Sequence, residues 1–273
     1  MKSLSSILFI ILFCISCSEP ELVLDNELDP DNPDYLPPET TILYTNPSLI
    51  DGVLDENSVT VYWEGNDPDM EFQFKLDDGA WSEWSSVFFG TFNNLDEGNH
   101  TALVQSRYLS GTVEEWPDTL LFDVDAIQGS SLRIHRLYTA AAVSDIFTVD
   151  IMAEEVNALS GAGITISFPS DGLSFTGDTL TAGPFFSQYP NQILYFYSES
   201  QSAGLTTLQL DIATLDETDD YFSGTGVIAV LEFRADAVGE HDIEFDGATT
   251  TLRNANNAVI PYDELVDGTV NVE

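Results

Sequence analysis

The chain has 273 residues, with 47 acidic and 7 basic side chains, so its formal net charge is −40 at pH 7. A surface of that charge repels phosphate backbones and anionic lipid headgroups, which argues against nucleic-acid binding and peripheral membrane binding. The length leaves room for two domains that each bury a core, and the charge favours solubility, in ordinary or in saline surroundings.

Residues 1–16 have the composition of an export signal. Lys2 precedes an apolar core at residues 7–13, and small or apolar residues lead to Cys17. Such a segment is too short to span a bilayer comfortably. The stretch Cys14-Ile15-Ser16-Cys17 resembles a bacterial lipobox, which implies cleavage after Ser16 and lipidation of Cys17. An ordinary signal peptide cut near the same place is the alternative.

The cysteine count agrees with lipidation. Cys14 and Cys17 are the only cysteines, so cleavage and acylation would leave no thiol for a disulfide. Exported domains without cross-links depend on the size of their cores for stability.

Residues 17–39 are predicted to be the lipidated cysteine followed by an extended acidic linker. Residues 18–39 contain eight acidic side chains, several prolines and no basic side chain, a composition typical of extended chain. Acidic residues after a lipidated cysteine resemble the surface-export signals of lipoproteins in Bacteroidetes-like bacteria, which implies a surface-exposed, outer-membrane location. The cluster from Asp25 to Asp34 lacks the central Gly and terminal Glu of an EF-hand, so a solvated linker is favoured over a calcium site.

Residues 40–126 alternate apolar and polar side chains in short runs, which predicts a first β-sandwich. The predicted strands are Thr41–Tyr44, Ser58–Glu64, Glu71–Leu76, Val87–Phe92, His100–Tyr108 and Leu120–Val124. The runs Pro38–Ile42, Trp63–Pro68, Asp78–Trp84 and Leu95–His100 resemble those of immunoglobulin-like and fibronectin-III-like modules in bacterial surface proteins.

Three tryptophans in this first module raise the question of carbohydrate binding. Exposed indole rings at Trp81, Trp84 and Trp116 would stack on sugar rings, whereas buried ones would fill the sandwich or pack over its hairpins. Both readings stay open, and Trp63 is predicted to be a core residue between the sheets.

Residues 129–273 predict a second β-sandwich after a break at Gln128-Gly-Ser-Ser131. The predicted strands are Leu132–Leu137, Ile146–Ala153, Gly163–Phe168, Leu173–Phe175, Ile193–Ser198, Thr206–Ile212, Val227–Arg234, His241–Phe245 and Thr269–Val272. The apolar sets Ile164/Ile166/Phe168 and Leu208/Leu210/Ile212 are each predicted to lie on one side of a strand.

The order of motifs in this second module resembles the cohesin family of jelly-roll sandwiches. The resemblance is carried by Phe147–Ala153, Ile164–Pro169, Leu173–Phe175 with Gly183–Phe185, Gly226–Phe233, and the closing Gly268–Val272. It implies a binding module that holds a dockerin, a two-helix partner that itself carries Ca²⁺. No cofactor of the chain's own is predicted.

Strand order within that family assigns the binding face to the third, fifth, sixth and eighth strands of the module. The outward residues implied are Thr165, Ser167, Tyr195, Tyr197, Thr207, Gln209 and Asp211. The two tyrosines are placed outward by taking Leu194 and Phe196 inward, and a slip of one residue would invert that assignment. A merely solvated face is the alternative for the polar members of this set.

The sequence offers no catalytic constellation. Its three histidines, His100, His135 and His241, have no metal-ligand spacing, and no serine lies in a nucleophile-elbow motif. The leading hypothesis is therefore a non-catalytic, lipid-anchored surface protein with a cohesin-like domain that recognises a protein partner such as a dockerin. The alternative is a lipoprotein that captures polysaccharide, and a structural envelope component without a specific ligand is a third possibility.

Overall fold

The structure is a computed structural model that describes residues 27–177, 181–182, 193–215 and 222–273. Every regular element in these ranges is a β-strand, which confirms the all-β prediction for the part of the chain described. None of the described segments forms a helix of the length and apolarity that crossing a bilayer requires.

The N-terminal half folds as a sandwich of two small sheets. Its strands are β1 (Thr40–Asn46), β2 (Val53–Leu54), β3 (Val59–Gly65), β4 (Met70–Leu76), β5 (Phe89–Phe92), β6 (Gly98–Tyr108) and β7 (Asp118–Val124). One sheet has the order β1-β3-β5 and the other the order β2-β7-β6-β4. The six strands predicted for this region are all present, and β2 is additional.

The core of this first sandwich follows from the alternation along β3. Val59, Val61 and Trp63 are buried while the residues between them are not. The Trp63 ring centroid lies 6.2 Å from that of Phe72 and 5.4 Å from that of Phe74, both on the opposite sheet. Trp63 is thus the core residue that the sequence predicted, and burial of such a side chain contributes about 2 to 3 kcal/mol.

The described end of the predicted linker does not follow an extended course. Between Glu27 and Leu36 the backbone closes a series of turns, with the Leu36 N–H donating to the Glu27 carbonyl at 2.8 Å. Leu28 and Tyr35 pack against the first core. Composition alone does not predict these turns, because two apolar side chains suffice to anchor a segment whose turns are capped by Asp and Asn side chains.

The C-terminal half folds as a larger sandwich. Its strands are β8 (Ser131–His135), β9 (Tyr138–Ala141), β10 (Ile146–Leu159), β11 (Gly161–Pro169), β12 (Leu173–Phe175), β13 (Thr181–Ala182), β14 (Ile193–Ser202), β15 (Leu205–Thr214), β16 (Phe222–Ala235), β17 (Gly239–Phe245), β18 (Thr251–Arg253), β19 (Val259–Ile260), β20 (Glu264–Val266) and β21 (Gly268–Val272). The nine predicted strands are all present.

Two sheets enclose the second core. The six-stranded sheet has the order β12-β16-β10-β8-β20, with β13 also on β16. The eight-stranded sheet has the order β14-β15-β11-β17-β21-β9, with β18 also on β11 and β19 on β18. The chain passes from β10 to β11 in the other sheet, keeps the hairpin β14–β15 in the eight-stranded sheet, and returns through β16 to the six-stranded sheet. Phe168 of one sheet meets Phe233 of the other edge to face, with ring centroids 5.1 Å apart. The apolar sets predicted on β11 and β15 are buried, as expected.

Candidate partner-binding face

The candidate site is the outward side of the eight-stranded sheet, called here the outer face. Strands β14, β15 and β11 lie side by side, and residues directly opposite each other in antiparallel strands share a side of the sheet. The outward rows across the sheet are Leu194–Ala213–Gly161–Arg253, Phe196–Asp211–Gly163–Thr251, Ser198–Gln209–Thr165 and Ser200–Thr207–Ser167–Glu244.

The predicted orientation of Tyr195 and Tyr197 is wrong. They lie opposite Ile212 and Leu210, which are buried in the core, so both tyrosines are on the core side of β14. The Tyr197 ring meets Phe175 of the other sheet with centroids 5.3 Å apart, and its hydroxyl donates to the Gly177 carbonyl at 3.2 Å. Both tyrosines stay partly exposed because β14 is the edge strand of its sheet.

Thr165 is outward in register but is not accessible. Its side chain is only 5% exposed, because the turn from Asp246 to Thr250 crosses over it. The Thr165 N–H donates to Thr250 Oγ1 at 3.2 Å, and the Asp246 N–H donates to the Thr165 carbonyl at 2.9 Å. The turn between β17 and β18 therefore covers Thr165 and keeps it from contacting a partner directly.

The other predicted residues do lie on the outer face. Gln209 and Asp211 are exposed, and Ser167 and Thr207 are half-buried in adjacent strands. Gln209 Oε1 accepts a hydrogen bond from Ser198 Oγ at 3.5 Å. These four side chains form a polar strip across β11 and β15, and their role in partner binding stays a prediction.

Beside this strip lies a groove of about 340 Å³, called here the glycine groove. Its floor is open because Gly161 and Gly163 of β11 bring no side chains between their neighbours. A Cβ at Gly163 would stand 3.3 Å from both Asp211 Oδ1 and Thr251 Oγ1. Leu194 and Phe196 of β14 line one wall, and the β18–β19 hairpin forms the other.

The hairpin wall is held by its own hydrogen bonds. Asn254 Oδ1 accepts from the N–H groups of Asn256 and Ala258, both at 3.0 Å. The Arg253 guanidinium donates through Nη1 to the Asn257 carbonyl at 3.0 Å. The groove thus has one rigid polar wall and one apolar wall, with a carboxylate at its floor.

Sequence reasoning missed the residues that shape this groove. In the run from Leu194 to Tyr197 every side chain is large and apolar or aromatic. No apolar–polar alternation therefore indicates which side of the strand faces the core. The signal that was available is Gly161-Ala-Gly163, since glycine at alternate positions of a strand leaves one side without side chains.

Asp211 is an exposed carboxylate on this face. Its side chain makes no hydrogen bond or ion pair with the residues that the structure describes. Phe196 lies directly opposite it on the neighbouring strand β14. Phe196 is 59% exposed, so its ring is open to solvent on the same side. A free carboxylate beside an exposed aromatic face is an arrangement that suits a cation.

The three tryptophans considered for sugar binding differ in their surroundings. Lys75 Nζ lies 5.3 Å from the Trp81 ring centroid, and Arg107 lies over Trp84 at 4.5 Å, so a cation covers one face of each indole. Trp116 is 77% exposed and lines a second groove of about 480 Å³ without the other two. Of the three, Trp116 alone offers a freely accessible ring in a groove.

The histidines are dispersed. His100 hydrogen-bonds Asp77 and the Asp96 carbonyl, His135 lies at the junction of the two sandwiches, and His241 contacts the Ala237 carbonyl at 2.8 Å. No group of three or more metal-ligating side chains occurs within the described ranges. Cys17 and the segment Gly183–Phe185 lie outside the described residues.

Comparison with solved structures returns cohesin domains. A non-cellulosomal cohesin from Archaeoglobus fulgidus matches 54% of this chain and 92% of its own length, with 14% identity and a TM-score of 0.42. A type II cohesin from the cellulosome of Acetivibrio cellulolyticus matches 53% and 96%, with 18% identity and a TM-score of 0.46.

A third similar structure is the OlpC cohesin of Clostridium thermocellum, solved with the dockerin Doc435. It matches 55% of this chain and 97% of its own length, with 13% identity and a TM-score of 0.43. No protein-family profile matches the chain, and a search of curated proteins finds no relative.

Proposed function

We propose that this chain is a non-catalytic, surface-anchored binding protein whose second sandwich holds a protein partner on the outer face. The observation that carries the proposal is the polar strip of Ser167, Thr207, Gln209 and Asp211, of which the last two are exposed, beside the glycine groove. Apart from the turn over Thr165, the described part of the chain leaves this strip and groove open. The exposed apolar side chains Leu194 and Phe196, with polar groups beside them on a sheet, form a surface suited to protein recognition.

The partner proposed is dockerin-like. Its support is the sequence resemblance of Ile164–Pro169 and Gly226–Phe233 to cohesin strands. A dockerin carries its own Ca²⁺, so the interaction would depend on calcium. The first sandwich would act as a spacer, and Cys17 as the lipid anchor.

The test is partner capture by the purified protein, with calcium and with chelator, from lysate and secreted protein of the source cells. Gln209→Tyr places bulk on the outer face, and Thr148→Tyr places the same bulk on the exposed outer side of the six-stranded sheet. We expect capture that Gln209→Tyr abolishes and Thr148→Tyr preserves.

The outcomes separate the parts of the proposal. Capture that is lost on chelation supports a dockerin-like partner, whereas capture that ignores chelator keeps the binding role and removes the dockerin assignment. Equal capture by both tyrosine variants, or no capture at all, would contradict the proposal that the outer face is the binding surface.

A second candidate function, polysaccharide capture, is favoured by Trp116. Its exposed indole stands in the groove formed with Pro37, Pro38, Glu115 and Pro117, and aromatic rings there would stack on sugar rings. Binding on a glycan array that is lost in Trp116→Ala would support this function. Silence on the array, with tryptophan fluorescence unchanged by polysaccharide, would remove it.

A further inference from the structure

The glycine groove joins three features that point to one kind of ligand group. Asp211 supplies an unpaired carboxylate, Phe196 an exposed ring on the neighbouring strand, and Gly161 and Gly163 an open floor. Carboxylates pair with ammonium or guanidinium groups, and aromatic faces attract the same cations. An aliphatic stem can lie along a floor that has no side chains.

Arg253 does not already satisfy Asp211. No ion pair joins the two among the described residues, and the Arg253 guanidinium donates instead to the Asn257 carbonyl of the β18–β19 hairpin. The Asp211 carboxylate therefore remains a negative centre at the floor of the groove.

The negative charge around the groove also favours a basic partner. The outward acids of the eight-stranded sheet are Asp211, Glu240, Asp242 and Glu244. Within the described part of this face, Arg253 is the basic side chain that stands against them. With 47 acidic and 7 basic residues in the chain, a basic surface is attracted and a second copy of this chain is repelled.

We propose that the glycine groove is the specificity pocket for a lysine or arginine side chain on a basic segment of the protein partner. The stem of that side chain lies over Gly161 and Gly163, and its charged end binds the Asp211 carboxylate beside the Phe196 ring. The inference rests on the proposed function and adds to it the chemistry of the partner. Steering by the acidic surface makes the association sensitive to salt.

The test uses amphipathic helical peptides with a leucine and, four residues later, arginine, citrulline or glutamate. Fluorescence anisotropy measures their binding to the purified protein at about 50 mM and about 300 mM NaCl. NMR shifts of the labelled protein show which residues they contact. The protein variants are Asp211→Asn and, as a control with the same charge change, Glu199→Gln. Glu199 lies on β14 as Phe196 does but on the other side of the strand.

We expect the arginine peptide to bind about tenfold more tightly than the citrulline peptide at low salt. Asp211→Asn should abolish that preference and Glu199→Gln should retain it. Shifts should centre on residues 161–163, 194–196 and 211. Equal binding of the arginine and citrulline peptides overturns the inference, as does a preference that survives in Asp211→Asn. So does the absence of groove shifts at ~1 mM peptide.

Failure of this inference is distinguishable from failure of the proposed function. If a captured partner is lost on Gln209→Tyr but is unaffected by Asp211→Asn, the outer face binds a partner that is not anchored by a cation. If no partner binds the outer face, the proposed function itself fails, whatever the peptides do.

Discussion

Asp96, in the loop between β5 and β6 of the first sandwich, places Oδ1 3.3 Å from Nδ1 of His135 in the second. The same oxygen accepts a hydrogen bond from the Leu137 N–H at 3.0 Å and lies 3.7 Å from Nη1 of Arg133. One carboxylate thus contacts three groups of a single segment across the junction. The side chain of Asp96 thereby links the first sandwich to the start of the second.

This junction predicts a dependence of stability on pH. Burial opposes ionisation of Asp96, but the hydrogen bonds from His135 and Leu137, with the charges of His135 and Arg133, hold its pKa below the usual value. A lowered pKa stabilises the folded state above the unfolded pKa, and that contribution is lost as the pH falls through the folded pKa. The stabilisation by Asp96 should therefore be complete at about pH 7 and decline progressively as the pH falls below about 4.

We expect Asp96→Asn to lower the free energy of unfolding by about 1 to 3 kcal/mol at neutral pH. The gap between the variant and the natural protein should shrink as the pH falls below about 4. Urea unfolding across this range measures it. Asp125→Asn, which alters an exposed carboxylate near the junction, should change the neutral value by less than about 0.5 kcal/mol. A gap for Asp96→Asn that is constant with pH would contradict the assignment.

Glu114 predicts a second effect on stability. It is buried, and its carboxylate accepts hydrogen bonds from the N–H and Oγ1 of Thr40 and from the N–H and Oγ of Ser106. Glu114→Ala leaves these donors without an acceptor inside the first sandwich, so we expect a loss of about 2 to 4 kcal/mol in unfolding free energy. Glu115→Ala, at the exposed neighbour, is the control and should cost less than about 0.5 kcal/mol.

One result would contradict this role of Glu114. Equal unfolding free energies for Glu114→Ala and Glu115→Ala would mean that water replaces the carboxylate at no cost. The four hydrogen bonds would then not be what ties β1 to β6.

Gly163→Ala tests whether the glycine groove must be open. The new Cβ would stand 3.3 Å from Asp211 Oδ1 and from Thr251 Oγ1, which narrows the floor while requiring a shift of only a few tenths of an ångström. We expect binding of the arginine peptide to weaken by about fivefold, with a melting temperature within a few degrees of the natural protein. Unchanged peptide binding would show that the ligand does not reach the floor.

The sequence predicted the long strands because their alternation is strong. Ile164, Ile166 and Phe168 are all buried on β11, and Leu173–Phe175 forms a strand with the predicted bounds. In these strands one side is apolar and the other polar, so burial of one side fixes the register. The short strands β2, β9, β13, β18, β19 and β20 were missed because two to four residues carry little alternation. The three-residue strand β12 was predicted from its Leu-x-Phe pattern within the cohesin resemblance.

The site was predicted only in part, for two physical reasons. Along β14 the residues on both sides are apolar, so Tyr195 and Phe196 could not be assigned a side from alternation alone. Thr165 alternates correctly but is covered by a turn 85 residues away in the chain, and no local pattern reports such a contact. Asp211, on a strand with clear alternation, was placed outward correctly by register.

The buried ion pair of Arg133 and Glu154 gives a last prediction. Arg133 Nε lies 2.5 Å from Glu154 Oε1, and both side chains are almost fully buried. In Arg133→Met the Glu154 carboxylate would keep only the hydrogen bond from Thr225 Oγ1 at 2.7 Å, and an unpaired buried charge costs about 3 to 5 kcal/mol.

The double variant Arg133→Met/Glu154→Met removes both charges, so we expect it to be more stable than Arg133→Met alone. Urea unfolding of the two single variants and the double variant measures the coupling. A double variant that loses the sum of the two single losses would show that the charges do not depend on each other.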